Sequence, residues 1–111
     1  MSRDDASLLD IAGAADLILR FIGGMTEGEF YQDAKTQSAV LHQILIIGEA
    51  AKRISGEFRN VHPEIPWKLM AGMRDVVIHA YDSVDLSQVW RTAAVEILDL
   101  LESIDPLLPK E

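Results

Sequence analysis

The stretch Asp33–Ser55, DAKTQSAVLHQILIIGEAAKRIS, decides how the chain folds. Ala39, Val40, Leu41, Ile44, Leu45, Ile46, Ile47, Ala50, Ala51 and Ile54 recur at helical intervals and do not alternate as the two faces of a strand would. Asp33 stands where a carboxylate can accept the free N–H groups of a first helical turn. Gly56 is placed to stop the helix, because glycine tolerates the left-handed conformation of a C-cap. An amphipathic surface helix carries a narrower apolar stripe than this one. The breadth predicts cover on two sides, by the chain's own bundle and by a second copy, with Ala50 and Ala51 small enough for close approach. A bundle-centre helix without such a copy is the alternative.

On the N-terminal side, Leu8, Ile11, Ala15, Ile18, Leu19 and Ile22 share one helical face, opened by Asp4 or Asp5 and closed by Gly23-Gly24. Thr26 and Glu29 have the spacing of a capping box, which predicts a short turn through Phe30 and Tyr31. On the C-terminal side, residues 56–65 read as a connector with Phe58 tucked beneath it, since a proline after His62 disfavours helix there. Pro66 suits the first turn of a third helix, predicted to end near His79 to Tyr81. Asp85 caps a fourth, whose buried face is Leu86, Val89, Trp90, Ala93, Ala94, Ile97, Leu98, Leu101 and Ile104. No stretch alternates like a strand, no glycine loop is built for phosphate, and no segment repeats. The expectation is all-α: an up-and-down bundle of four main helices, one domain over residues 1–111.

The chain carries 18 acidic and 10 basic residues, a net charge of −8. Proteins that coat nucleic acid are basic over the contact face. Any RNA contact is therefore local, confined to Arg74 with Lys52, Arg53, Arg59 and Lys68. There is no cysteine, hence no disulfide frame and no thiolate chemistry. His42, His62 and His79 are widely spaced and no cluster has metal-ligand spacing, so no metal and no cofactor is expected. Asp4, Asp5, Asp10 and Asp16 break any secretory signal, and no apolar run approaches the roughly 20 residues of a membrane span. A cytoplasmic protein fits these readings.

The stretch richest in chemistry is Met73-Arg74-Asp75-Val76-Val77-Ile78-His79-Ala80-Tyr81. Histidine exchanges protons near neutral pH, and arginine presents a permanently charged fork that fits a phosphate. RNA supplies its own nucleophile, the 2′-hydroxyl. A base for that hydroxyl and a cation for the phosphate are enough to cut RNA without metal. At about 100° per residue, positions 74 and 79 diverge by about 140°, while 74 and 81 are nearly eclipsed. A site composed from two copies across a two-fold axis relieves the divergence. The spacing alone fits equally well an interior helix with one charged residue and one satisfied histidine.

Arg74, His79 and Tyr81 match the Arg-x4-His-x-Tyr pattern of HEPN ribonucleases, and the chain resembles in particular the HepT-like toxins. Ile47-Gly48-Glu49-Ala50-Ala51-Lys52-Arg53-Ile54-Ser55 is similar to that family's central helix. Ile65-Pro66-Trp67 and Ala71-Gly72-Met73-Arg74 resemble the approach to its motif, and Val84-Asp85 with Trp90 the start of its last helix. Val76 departs from the pattern, where a polar or basic residue is expected. The resemblance implies a homodimeric endoribonuclease leaving a 2′,3′-cyclic phosphate, with His79 as general base, Arg74 on the phosphate and Asp75 in support. It also implies a partner, an MntA-like nucleotidyltransferase antitoxin that moves AMP from ATP onto Tyr81. The rival expectation is a non-catalytic helical module that docks a nucleotidyltransferase or binds a nucleotide. A purely structural bundle leaves the ordered matches to chance. His42 and Glu49, seven residues apart on the long helix, read as a solvated edge or as a polar strip facing the site.

Overall fold

The structure is a computed structural model that describes residues 2–83 and 85–109, with the side chains of residues 79–83 left out of the description. Two long antiparallel helices organise it. Helix α1 spans Arg3–Ile22 and α3 spans Ala34–Arg53, joined through the five-residue α2, Glu27–Tyr31. After α4, Gly56–Val61, the motif helix α5 runs Trp67–Ser83. The fourth bundle member is composite: α6 (Leu86–Arg91), a π-helical turn (Thr92–Glu96), α7 (Ile97–Ile104) and a 3-10 turn (Asp105–Leu107). Helix α3 packs between α1 and α5, and α1 also packs on α7. No strand occurs among the described residues, and the all-α, four-helix reading holds.

Local chemistry sets most boundaries. Gly24, at φ 76°, turns the chain after α1, in the left-handed region that glycine enters without steric cost. The capping box at α2 is complete: Glu29 N–H donates to Thr26 Oγ1 at 3.1 Å and Thr26 N–H to Glu29 Oε1 at 2.9 Å. Asp33 accepts from Thr36 N–H at 3.0 Å to open α3, and Asp85 from Gln88 N–H at 3.2 Å to open α6.

Other boundaries differ from expectation. Ser2, rather than Asp4 or Asp5, caps α1 by accepting from Asp5 N–H at 3.0 Å. Asp4 is used elsewhere, accepting from Ser55 N–H at 2.8 Å and Ser55 Oγ–H at 2.7 Å. Ser55 in turn caps α4, so Gly56 begins a helix instead of ending one, and α3 stops at Arg53. Phe58 is half-buried, its ring tilted by 42° against His62 at 4.6 Å between ring centres. Pro66 precedes the first residue of α5, accepting from Met70 N–H at 3.1 Å, and α5 continues two residues past Tyr81.

The core gathers Leu8, Ile11, Ile18, Phe30, Val40, Ile44, Ile47, Met70, Ile97, Leu100 and Ile104, all at 0% exposure. Phe30 lies 5.4 Å from Trp90 between ring centres, locking α2 against α6. One expectation for the last helix is corrected: Leu98 is 45% exposed, and Leu100 takes the buried place. The π turn aligns the two halves of this helix. In a regular helix, Val89 and Ile97 would drift apart by about 80° over eight residues. The wider turn removes most of that drift, so Val89, Ala93 and Ile97 form one fully buried line. Within α7, Leu98 lies about 100° round from the buried Ile97 and Leu100 only about 60°, so Leu100 faces inward and Leu98 is left at the edge.

Candidate active site

Helices α3 and α5 approach closely beneath Arg74. A Cβ added at Gly48 would lie 3.2 Å from Arg74 N, 3.4 Å from Arg74 Cβ and 3.5 Å from Met70 O. The missing side chain lets the motif helix rest on α3, with Met70, Met73 and Val77 buried below. Val76 is half-buried and packs on the same core. An apolar residue is therefore what this position needs, which accounts for the departure noted in the sequence.

Arg74 leaves the contact toward solvent, 47% exposed, and its Nε lies 3.5 Å from Glu49 Oε1, itself 44% exposed. A pair this open contributes little to stability, about 0–1 kcal/mol. At this separation the two form an ion pair without a hydrogen bond, which sets a negative charge beside the Nε edge of the guanidinium. Glu49 thus joins the polar strip facing the site and is more than a solvated edge. The signal was its neighbour Gly48, whose lack of a side chain brings the next residue of α3 against α5. His42, two turns earlier on α3, is exposed.

Asp75 is exposed beside Arg74; among the described residues, the carboxylate paired with Arg74 is Glu49. The side chains of His79 and Tyr81 lie outside the described residues, although the backbone of α5 is helical through both positions. That helicity keeps position 81 on the line of Arg74, about two turns on. Ile78, one turn beyond Arg74, is 47% exposed.

Of the other cations named from the sequence, Arg53 pairs with Asp10 at 3.6 Å. Arg59 is anchored, its Nη2 donating to Ala51 O at 2.6 Å. Lys52 and Lys68 are exposed. Among the described residues there is no group of three or more His, Asp or Glu side chains placed to hold a metal ion. No helix of the described residues is long and apolar enough to cross a membrane.

The chain is similar to known proteins over most of its length. The family model described as "Ribonuclease HepT-like" matches residues 11–107. A Thermococcus cleftensis protein named "Probable ribonuclease HepT" is 45% identical over 100 residues, covering 90% of this chain and 91% of that protein. A Methanocaldococcus jannaschii protein named "Putative RNase MJ0125" is 38% identical over 103 residues, covering 93% of this chain and 89% of its own. No solved structure matches the chain.

Proposed function

Because the chain belongs to the HepT-like ribonuclease family, we propose that residues 1–111 act as one unit, a cytoplasmic, toxin-type endoribonuclease that needs no metal. The observation that carries this reading is the guanidinium of Arg74, held by Glu49 on the open side of α5 yet free to meet a phosphate. His79 removes the proton of the ribose 2′-hydroxyl, and the 2′-oxygen attacks phosphorus. Arg74 stabilises the charge that builds on the phosphoryl oxygens, with Asp75 supporting the orientation of these groups. The P–O5′ bond breaks, the 5′-oxygen takes a proton, and the products are a 2′,3′-cyclic phosphate and a 5′-hydroxyl.

The working form is a homodimer in which two copies of the motif line one groove. The exposed Ile78 beside Arg74 supports this, as an apolar side chain that a second copy would cover. Control comes from an MntA-like nucleotidyltransferase antitoxin. The Tyr81 oxygen attacks the α-phosphorus of ATP, pyrophosphate leaves, the phenolic proton is lost, and AMP stays on Tyr81. The phosphodiester so formed brings one negative charge and two non-bridging acceptor oxygens onto the line of Arg74, where an RNA phosphate would sit. Mass spectrometry of the protein co-expressed with that partner should find AMP on Tyr81. Full neutralisation of an unmodified protein would reject this control. The rival, a non-catalytic docking module, draws its support from the net charge of −8. Release of labelled cyclic-phosphate fragments by the purified protein separates the two.

A further inference from the structure

Resting on the ribonuclease reading above, we propose that the cleft beside Trp67 is a second nucleotide subsite. It would hold a base and phosphate of single-stranded RNA flanking the phosphate that Arg74 engages. The cleft is an open depression of about 520 Å³, within the roughly 300–1,000 Å³ range of small-ligand sites. Arg59, Asn60, Pro63, Trp67 and Lys68 line it, and no carboxylate does. In a chain of net charge −8, this is a local concentration of positive charge against an aromatic ring.

The cleft is in register with the motif. Trp67 and Arg74 are seven residues apart on α5, which places them on one line of the helix, about 20° off eclipse and about 10 Å apart. That separation is roughly three steps of a stacked strand at 3.4 Å each, and fewer in a stretched one. A strand lying along this line meets the Arg74 guanidinium at one phosphate and the Trp67 ring a short distance on.

The ring is already fixed. Its Nε1–H donates to His62 O at 2.9 Å, and Phe58 meets it edge-on at 6.0 Å between ring centres. Stacking on a held ring loses little side-chain freedom. Lys68 is exposed and supplies a movable charge for phosphate. Arg59 lines the cleft with its guanidinium anchored to Ala51 O, and so adds a fixed positive charge. The ring itself stacks on any base, as stacking platforms do.

The test uses the full-length protein carrying His79→Ala, which binds RNA without turnover, and a fluorescein-labelled single-stranded 12-mer. Adding Lys68→Glu should raise Kd about tenfold and flatten the log Kd against log salt slope by roughly one phosphate contact. With Trp90→Phe, Trp67 is the remaining tryptophan, and its fluorescence should be quenched as RNA saturates. In the cleaving protein, Lys68→Glu should raise KM about tenfold for the 12-mer and much less for a dinucleotide. Binding, salt slope and KM all unmoved by Lys68→Glu, or no quench at saturation, overturns the subsite while cleavage continues. Failure of the parent protein to bind or cut any RNA overturns the ribonuclease reading, and the subsite with it.

Discussion

Gly48→Ala is the perturbation that couples packing to the site most directly. The added methyl would sit 3.2 Å from Arg74 N and 3.4 Å from Arg74 Cβ. Its neighbours belong to the α5 backbone or sit directly on it, so none can swing aside, and the helix must retreat by a few tenths of an ångström. Replacing a mid-helix glycine by alanine contributes about 1 kcal/mol of helix propensity. Overpacking a tight contact costs about 1–3 kcal/mol. The net expectation is a destabilisation of about 1 kcal/mol, or roughly 4 °C in Tm for a chain of this size. Activity should suffer more: a 1 Å misplacement can cost about 10²-fold in rate, so a shift of a few tenths should lower kcat about threefold to tenfold. Gly13→Ala is the control, since a Cβ there meets nothing within 4 Å on α1 and should raise Tm. Thermal melts and RNA cleavage of both variants decide the matter. If Gly48→Ala is as stabilising as Gly13→Ala and cuts RNA at the parent rate, the close approach does not position Arg74.

Glu49→Gln should lower kcat about tenfold while shifting stability by less than about 1 kcal/mol, the scale of an exposed ion pair; a large loss of Tm with unchanged kcat would contradict its positioning role. Acid should destabilise the fold through four carboxylates. Hydrogen bonds from Ser55 hold Asp4 below the usual range, those from Thr26 hold Glu29, those from Thr36 hold Asp33, and those from Ser87 and Gln88 hold Asp85. A depressed folded pKa gives stability that is present above the unfolded values, 3.8 for aspartate and 4.5 for glutamate, and is lost as pH falls through the lowered ones. Denaturant melts should show this contribution flat between pH 5 and pH 8 and falling below about pH 4.5, with Asp4→Asn removing part of the fall. Phe30→Ala, which empties a fully buried site against Trp90, should cost about 3–5 kcal/mol.

What the sequence made legible was local. The caps at Thr26, Asp33 and Asp85 depend on partners three residues away, and the apolar faces of α1 and α3 repeat at a period that survives folding. Asp4 escaped because its partner, Ser55, is 51 positions away; a cap residue and a tertiary acceptor look the same in one dimension. Leu98 and Leu100 were exchanged although helix geometry separates them: Leu98 lies about 100° round from Ile97 and Leu100 about 60°, a difference that two adjacent leucine-rich steps hide when the run is read as uniformly apolar. In the site, Arg74 stood out by chemical type and spacing. Glu49 did not, because its relevance follows from how near α5 comes to Gly48. The cleft at Trp67 joins residues of α4, the following loop and α5, a grouping set by how α4 folds back.

The central claim is tested most directly by incubating the purified protein, freed of any partner and with a metal chelator present, with single-stranded RNA and analysing the fragment ends. The account predicts cleavage that leaves 2′,3′-cyclic phosphates and that disappears in both Arg74→Ala and His79→Ala. Intact RNA after incubation with the parent protein, or full-rate cleavage by either variant, would contradict it.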